Sequence, residues 1–292
     1  MPSATLPAAS IAESIAASIA ASIDHYRRDG ATALRGVIAP EWLDRLAAGV
    51  ERNLREPGPY AKRYTPEGSP GLFFGDYCNW QRIPEYREFM TGSPAAAIAA
   101  ALMGATKVNL YHEHVLVKEP GTTERTPWHH DQPYYPVDGE QIVSLWIPLD
   151  PVARATCPEF IAGSHRWGKW FMPARFKDGA QWEAQDPRFV PMPDIEAERG
   201  RHTLLTWDLA PGDCIAFHGL TVHGAPGNAA ATRRRAFSAR WTGDDATFVL
   251  RPGFLSPPPP ERDGPRAGAP LDSPAFPVVW RNGVGHVYEV GA

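Results

Sequence analysis

The sequence predicts a mainly β fold, a sandwich or jelly roll with α-helices packed outside it. Helical patterns come before residue 107, and many short strand patterns follow as far as residue 241. The 31 prolines and 26 glycines also favour short strands joined by turns over long helices. No linker or repeat divides the 292 residues, so we expect a single soluble domain over residues 1–292.

Residues 1–29 predict an N-terminal helix. Ile11, Ile15, Ile19 and Ile23 recur every four residues and form one apolar stripe on a helix. The segment lacks the basic start and the continuous apolar run of a signal peptide. We expect the stripe to pack on the body of the fold and to have no chemical role.

Two further helical patterns precede the strands. Pro40 lies at the start of the first, where its missing N–H costs nothing. The second covers residues 83–103 and is interrupted near Pro94. A short strand is predicted over residues 30–38. Residues 56–82 are rich in glycine, proline and aromatic residues, which predicts a loop at the rim of a pocket.

The predicted β core covers residues 107–241 and begins with a long strand whose alternation places His112 and His114 on one side. Further strand patterns lie at residues 142–149, 159–165, 203–209, 213–217, 221–223 and 236–241. Residues 166–202 show no clear period and predict an insertion. Residues 251–292 form a proline-rich C-terminal tail, and we expect residues 251–277 of it to wrap the surface without regular structure.

Charge and cysteine content narrow the range of partners and locations. The net charge is −4, and basic residues are scattered apart from the run Arg233–Arg235, which argues against nucleic-acid binding. No apolar run approaches the length of a membrane span. The chain has three cysteines, Cys78, Cys157 and Cys214, which lie far apart in sequence and show no metal-binding spacing. An odd number of widely separated cysteines is typical of a reduced, cytoplasmic protein. We therefore expect a small-molecule partner.

The stretch from Thr126 to Tyr134 contains the first candidate metal ligands. In an extended strand, His129 and Asp131 would point to one face and His130 to the other. One imidazole and one carboxylate form only part of a metal site, so a third ligand has to come from elsewhere. The alternative is a surface turn that binds nothing.

Candidates for the third ligand follow a turn at Pro211-Gly212-Asp213. Two histidines five residues apart, His218 and His223, come after the next strand pattern. Gly224 would let the backbone approach a ligand closely. Arg234 lies eleven residues beyond His223. A packed core residue is the alternative interpretation of either histidine.

Together these motifs resemble the phytanoyl-CoA dioxygenase family of Fe(II)- and 2-oxoglutarate-dependent oxygenases. The resemblance covers residues 30–241. Its motifs are Trp128-His-His-Asp-Gln-Pro-Tyr134, Gly163-Ser-His165, the Pro-Gly-Asp turn, His223-Gly-x-x-x-Asn228 and Arg233-Arg-Arg-Ala-Phe-Ser238. The chain departs from the family at His130, where relatives usually carry glutamine.

The resemblance implies a double-stranded β-helix, a cupin-like jelly roll, in which His129, Asp131 and His223 hold Fe(II). It also implies that Arg234 receives the distal carboxylate of 2-oxoglutarate and that His218 is not a ligand. Such a triad leaves three open positions on the metal, which suit a 2-oxo acid and O₂. An arginine fork suits the distal carboxylate.

The resemblance also suggests other residues that contact the cosubstrate. Trp146 matches an aromatic residue of the family's cosubstrate pocket, although core packing is its alternative interpretation. His114 and Thr126 are further candidates. In a strand, the two arginines that flank Arg234 would point to the opposite face.

We therefore expect a dioxygenase that uses Fe(II), 2-oxoglutarate and O₂ to hydroxylate a C–H bond of a small molecule, with release of succinate and CO₂. Asp131 argues against halogenation, because halogenating relatives lack this carboxylate. One alternative is a metal-binding or sugar-binding jelly roll without catalysis, which has no need of Arg234. Another is a hydrolase or isomerase with a cupin-like metal site, which would use His112, His114 or His218.

Overall fold

Two antiparallel β-sheets pack face to face, and α-helices cover the outer face of the larger sheet. The computed structural model describes residues 15–176, 180, 186–253, 255–282 and 284–285. The helices are α1 (Ala20–Asp29), α2 (Pro40–Arg55), α3 (Pro84–Gly92) and α4 (Ala95–Met103). Residues 1–14, with Ile11 of the predicted stripe, lie outside the described residues, as do residues 177–179 and 181–185 of the predicted insertion.

The large sheet contains nine strands within the described part of the chain, numbered here in chain order. Its main path is β1 (Ala31–Leu34), β12 (Cys214–His218), β7 (Ile142–Pro148), β14 (Arg234–Thr242), β4 (Lys107–Lys118), β16 (Val278–Arg281) and β17 (Val284–Gly285). Beside β16, the same edge of β4 also pairs with β3 (Phe73–Tyr77), which in turn pairs with β2 (Lys62–Arg63). All these pairings are antiparallel.

The small sheet covers the inner face of the large one. Its order is β11 (Leu204–Leu205), β8 (Glu159–Ile161), β13 (His223–Ala225) and β5 (Thr126–His129). Two strand pairs lie apart from both sheets: β6 (Val137–Asp138) with β15 (Thr247–Phe248), and β9 (Trp170–Phe171) with β10 (Phe189–Val190). Short 3-10 helices cover Gln132–Tyr134, Arg154–Thr156, Ser164–Arg166 and Arg199–Arg201.

Strand alternation on β14 separates the two faces of the large sheet. Phe237, Ala239 and Trp241 point outward and belong to the apolar core beneath the helices. Ala236 belongs instead to the core between the sheets, which also contains Trp146. The even-numbered residues of β14 therefore face the interior of the jelly roll.

The predicted fold class, a double-stranded β-helix with flanking helices, is confirmed by this arrangement. The helical pattern at residues 83–103 divides at Pro94, as expected. Residues 56–82 were wrongly predicted to be loop throughout, because they contain β2 and β3. All five residues of β3 are buried, so the sequence shows no apolar–polar alternation there. The strand predicted at residues 203–209 is reduced to Leu204–Leu205.

Candidate metal and cosubstrate site

His129 and His223 are brought together by the small sheet. His129 is the last residue of β5, His223 is the first residue of β13, and the two are direct partners in the antiparallel register. Side chains opposite each other on adjacent strands come close together. The two imidazole ring centroids lie 4.2 Å apart.

Asp131 reaches the same point by a different route from the one expected. Strand β5 ends at His129, and Asp131 has helical backbone angles (φ −72°, ψ −44°) immediately before the 3-10 helix at Gln132. The argument from strand alternation was therefore wrong for this residue, although its carboxylate does converge with the histidines. Asp131 Oδ1 lies 3.5 Å from His129 Nε2 and 3.8 Å from His223 Nε2.

The three side chains fit a divalent metal ion. Two donors that are each about 2 Å from one ion lie at most about 4 Å apart, and both distances to Asp131 meet that limit. Both imidazoles are also oriented for ligation. His129 Nδ1 donates to the carbonyl of Pro127 at 2.8 Å and His223 Nδ1 to that of Thr221 at 2.9 Å. Each Nε2 lone pair is therefore left for a metal.

The second carboxylate oxygen of Asp131 faces the large sheet. Oδ2 accepts hydrogen bonds from Ser144 Oγ at 3.3 Å and from Arg240 Nε at 3.2 Å, and it forms an ion pair with Arg240 Nη2 at 3.2 Å. Burial by itself would raise the pKa of Asp131, but the charge of Arg240 and the contact with His129 hold that pKa well below its usual value. The Asp131 carboxylate is therefore ionised and can donate an electron pair to a metal ion.

Arg240 was not anticipated from the sequence, although a signal for it existed. Residues 234, 236, 238 and 240 share the inner face of β14, so Arg240 had to be a buried cation. Its exposed fraction is 5%. A buried cation on this face requires an anionic partner, and Asp131 was the predicted acid of the interior.

Arg234 lies further along the same face, with an exposed fraction of 7%. Its Nη1 donates to the carbonyl of Thr156. Burial lowers the pKa of Arg234 to about 10, so the side chain is still cationic at neutral pH. The flanking arginines instead pair with acids: Arg233 Nη1 with Glu51 at 2.9 Å, and Arg235 Nη2 with Asp150 at 2.7 Å.

Lys118 supplies a second basic group at this end of the interior. It is the direct cross-strand partner of Arg234 and is almost fully buried. Its Nζ donates to the carbonyls of Glu124 at 2.8 Å and Pro226 at 2.9 Å. Burial, followed by the charge of Arg234, lowers the pKa of Lys118 to about 6. Strand alternation along β4 puts Lys118 on the same face as His112 and His114, but only the register with β14 places it beside Arg234.

One cavity of about 410 Å³ contains the whole predicted set. Its lining includes His129, Asp131, His223, Arg234, Trp146, His114 and Thr126. Trp146 is buried opposite Ser238 of β14, between the positions of Arg234 and Arg240. Aromatic rings form much of the remaining wall: Tyr64, Phe73, Tyr77, Tyr134, Tyr135, Phe160, Phe176 and Phe217.

The other candidate histidines do not join the triad. Within the described residues, His129, Asp131 and His223 form the one group of His, Cys, Asp or Glu side chains close enough to hold a metal ion. His130 Nε2 accepts the N–H of Phe171 at 2.7 Å, so this side chain is occupied elsewhere. His218 bonds the carbonyl of Glu140. Among the described residues, no further histidine joins the triad to form the alternative cupin-like site.

The fold and its donors define a class, the jelly-roll proteins with a two-histidine, one-carboxylate metal site. The chain belongs to the phytanoyl-CoA dioxygenase family: the family profile, described as Phytanoyl-CoA dioxygenase (PhyH), matches residues 26–236. This confirms the resemblance drawn from the motifs. The family contains 2-oxoglutarate-dependent non-haem iron dioxygenases, and the triad of this chain fits an iron ion.

Individual relatives are distant. The peroxisomal phytanoyl-CoA dioxygenase of Homo sapiens is 25% identical over 179 residues, which cover 59% of this chain and 47% of that protein. The chain spans about half the length of this relative and of a similar protein from Caenorhabditis elegans.

Two solved structures show the same fold over most of the chain. The epimerase SnoN, in complex with Fe3+, alpha ketoglutarate and nogalamycin RO, superposes with a TM-score of 0.68 at 23% identity, over 92% of this chain and 98% of that one. EctD from S. alaskensis, with 2-oxoglutarate and 5-hydroxyectoine, superposes with a TM-score of 0.65 at 18% identity, over 86% and 85% of the two chains. No helix in the described ranges is long and apolar enough to cross a membrane.

Proposed function

We propose that this protein is a single-domain dioxygenase that hydroxylates a C–H bond of a small molecule, using Fe(II), 2-oxoglutarate and O₂, and releases succinate and CO₂. The observation that carries the proposal is one cavity holding both a metal-binding triad and a buried arginine. A metal site alone would serve many activities. The cation at a second point of the same cavity supports a cosubstrate with a distal anionic group.

Each residue has a definite part in the proposal. His129, Asp131 and His223 hold the metal through Nε2, Oδ1 and Nε2. When bound, Fe(II) and 2-oxoglutarate supply the activation of O₂ and the oxidising power. Arg234 binds the distal carboxylate of the cosubstrate through its planar fork.

The remaining residues shape the cosubstrate pocket and keep water out of it. Trp146, Thr126 and His114 line the cavity, and in this proposal they contact the cosubstrate. Burial, with the charge of Arg240 adding to it, lowers the pKa of His114 to about 3. His114 is therefore neutral and can donate or accept a hydrogen bond. The aromatic walls exclude water from the reacting centre.

The cavity also indicates the kind of substrate. Asp131 is the one acid among its described lining residues, whereas six lining residues are basic: Lys62, Arg63, Lys118, Arg175, Arg234 and Arg240. Asp131 is occupied by Arg240, and the cosubstrate would occupy Arg234. Lys62 and Arg63 on β2 are exposed, so they can meet a ligand at the edge of the cavity. These features support an organic anion of moderate size with an apolar or aromatic body.

The experiment is an assay of 2-oxoglutarate consumption and succinate formation by the purified protein. We expect slow turnover without substrate, only with Fe(II) and O₂, and faster turnover when a pool of aromatic and aliphatic carboxylates contains a substrate. Hydroxylation gives a product that is heavier than the substrate by one oxygen atom. Epimerisation, the activity named for SnoN, gives a product with the same mass as the substrate. Mass spectrometry distinguishes the two outcomes.

The rival function is a jelly roll that binds metal without oxidative chemistry, or a hydrolase. Tight zinc binding with no oxygen uptake under any condition would favour that rival and contradict the proposal. The cytoplasmic location stays a prediction, which subcellular fractionation would test.

A further inference from the structure

The two oxygens of Asp131 are held by different parts of the fold. Oδ1 faces the two histidines of the small sheet, while Oδ2 contacts Arg240 and Ser144. Arg240 and Ser144 are themselves direct partners on the adjacent strands β14 and β7 of the large sheet. Two paired residues of the large sheet therefore bind the carboxylate of Asp131, which follows strand β5 of the small sheet.

The carboxylate of Asp131 needs these contacts because Asp131 lies outside the strands. It stands in the turn after β5, outside the hydrogen-bonded ladder that orients His129. A strand residue has its side-chain direction set by the pleat, but a residue in a turn does not. The direction of the Asp131 carboxylate must come from contacts of the side chain itself.

Arg240 can fix the direction of the Asp131 carboxylate. Its guanidinium is buried, and contacts with three residues fix the plane of the guanidinium. Nη1 donates to the carbonyl of Ser238 at 3.0 Å, Nε donates to Tyr135 Oη at 2.5 Å, and Nε and Nη2 both reach Asp131 Oδ2. Tyr135 is in turn wedged between Tyr111 and His112 at ring-centroid distances of 5.0 and 5.3 Å.

We propose that Arg240, with Ser144, is a positioning residue that keeps Asp131 a one-oxygen ligand by occupying Oδ2. Chelation through both oxygens would require Oδ2 to leave a buried cation and a hydroxyl. One-oxygen ligation keeps three positions of the metal open for the cosubstrate and O₂. This inference rests on the proposed function, since it assigns a role at the same metal site.

The test compares metal binding by wild-type protein, Arg240→Met, Arg240→Lys and Ser144→Ala under nitrogen. Groups that orient a ligand typically account for about 10–100-fold in metal affinity. We expect Arg240→Met to weaken Fe(II) binding by that order and Ser144→Ala by a few-fold. Arg240→Lys should recover part of the loss, because it restores the charge but not the fork.

A second readout separates positioning from mere structural support. With Co(II) in place of Fe(II), the visible absorption reports the coordination number and geometry of the ion. We expect the Arg240→Met spectrum to change, because Oδ2 is then free to coordinate, and the Arg240→Lys spectrum to move back towards wild type. Arg235→Met is the matched control: it removes an arginine of the same strand from an ion pair on the outer face, and its metal affinity and spectrum should match wild type.

Wild-type affinity and spectrum in folded Arg240→Met would overturn the inference. If Arg240→Met does not fold, Arg240→Lys and Ser144→Ala decide, and wild-type behaviour in both would overturn it. If the wild-type protein itself binds neither Fe(II) nor Co(II) one-to-one, the proposed function and the inference fail together. Equal binding by wild type and the Arg240 variants defeats the inference alone.

Discussion

Replacement of Arg234 by alanine tests the cosubstrate end of the cavity. Arg234 is buried on the inner face of β14, and its guanidinium fork is directed by the hydrogen bond to Thr156. The substitution would leave the distal carboxylate of 2-oxoglutarate in a desolvated pocket without its bidentate partner. The metal triad lies elsewhere in the cavity, so Fe(II) binding should survive.

The expected magnitude depends on both basic groups at this end, Arg234 and Lys118. Removing one partner of a buried ion pair costs about 3–5 kcal/mol. Lys118 is the cross-strand neighbour of Arg234 and can take up a proton to supply a charge in its place, so we expect a loss near the lower limit of this range. A loss of about 3 kcal/mol corresponds to roughly a hundredfold weaker binding. Arg234→Lys should recover only part of it, because a point charge does not reproduce the fork.

The assay is an anaerobic titration of the Fe(II)-loaded protein with 2-oxoglutarate, followed by the visible charge-transfer absorption. Arg233→Ala and Arg235→Ala are the controls, since both residues form ion pairs outside the cavity. They should change the cosubstrate affinity by only a few-fold. If either control loses as much affinity as Arg234→Ala, the assignment of Arg234 is wrong.

Further predictions concern the triad, its neighbours and the buried titratable groups. Asp131→Ala and His223→Ala should each abolish Fe(II) binding and 2-oxoglutarate turnover, whereas His130→Ala should keep appreciable activity; metal titration decides, and equal loss in His130→Ala would mean that the wrong histidine was chosen. Lys118, whose pKa is about 6 in the free protein, should take up a proton when the cosubstrate binds. The affinity for 2-oxoglutarate should therefore fall as pH rises above about 6, by at most about tenfold per pH unit, and Lys118→Met should remove this dependence in calorimetric titrations. Burial raises the pKa of Glu113 from 4.5 to about 8, even though backbone N–H groups, among them those of Asn79 and Trp80, donate to it. The folded state thus holds a proton that the unfolded state releases, so the free energy of unfolding should fall by up to about 1.4 kcal/mol per pH unit between those values. Urea denaturation of Glu113→Gln should show a flatter pH dependence, and an unchanged slope would refute this assignment.

The three proposed metal ligands could be identified from the sequence because they lie in short motifs. His129 and Asp131 are two residues apart, and His223 precedes a glycine that allows close packing. The reasoning for Asp131 was nevertheless wrong. Strand alternation applies only within a strand, and β5 ends at His129, before the 3-10 helix that follows. The alternating pattern of the sequence does not reveal this end.

Contacts that depend on the register between distant strands could not be predicted in the same way. Arg240 meets Asp131 across 109 residues of sequence, and Lys118 meets Arg234 only because β4 and β14 align at those positions. Strand β3 was missed for a local reason. It is buried throughout and contains Gly75, so it lacks the alternation by which exposed strands are recognised.

Turnover under oxygen-18 gas tests the central proposal most directly, because it needs no knowledge of the substrate. The protein would be incubated with Fe(II), 2-oxoglutarate and labelled O₂, and the succinate analysed by mass spectrometry. In the proposed reaction one oxygen atom of O₂ enters the new carboxylate of succinate. We predict succinate with one labelled oxygen, formed by the wild-type protein but not by Asp131→Ala. Unlabelled succinate, or 2-oxoglutarate that stays intact while the protein binds its metal, would contradict the proposal.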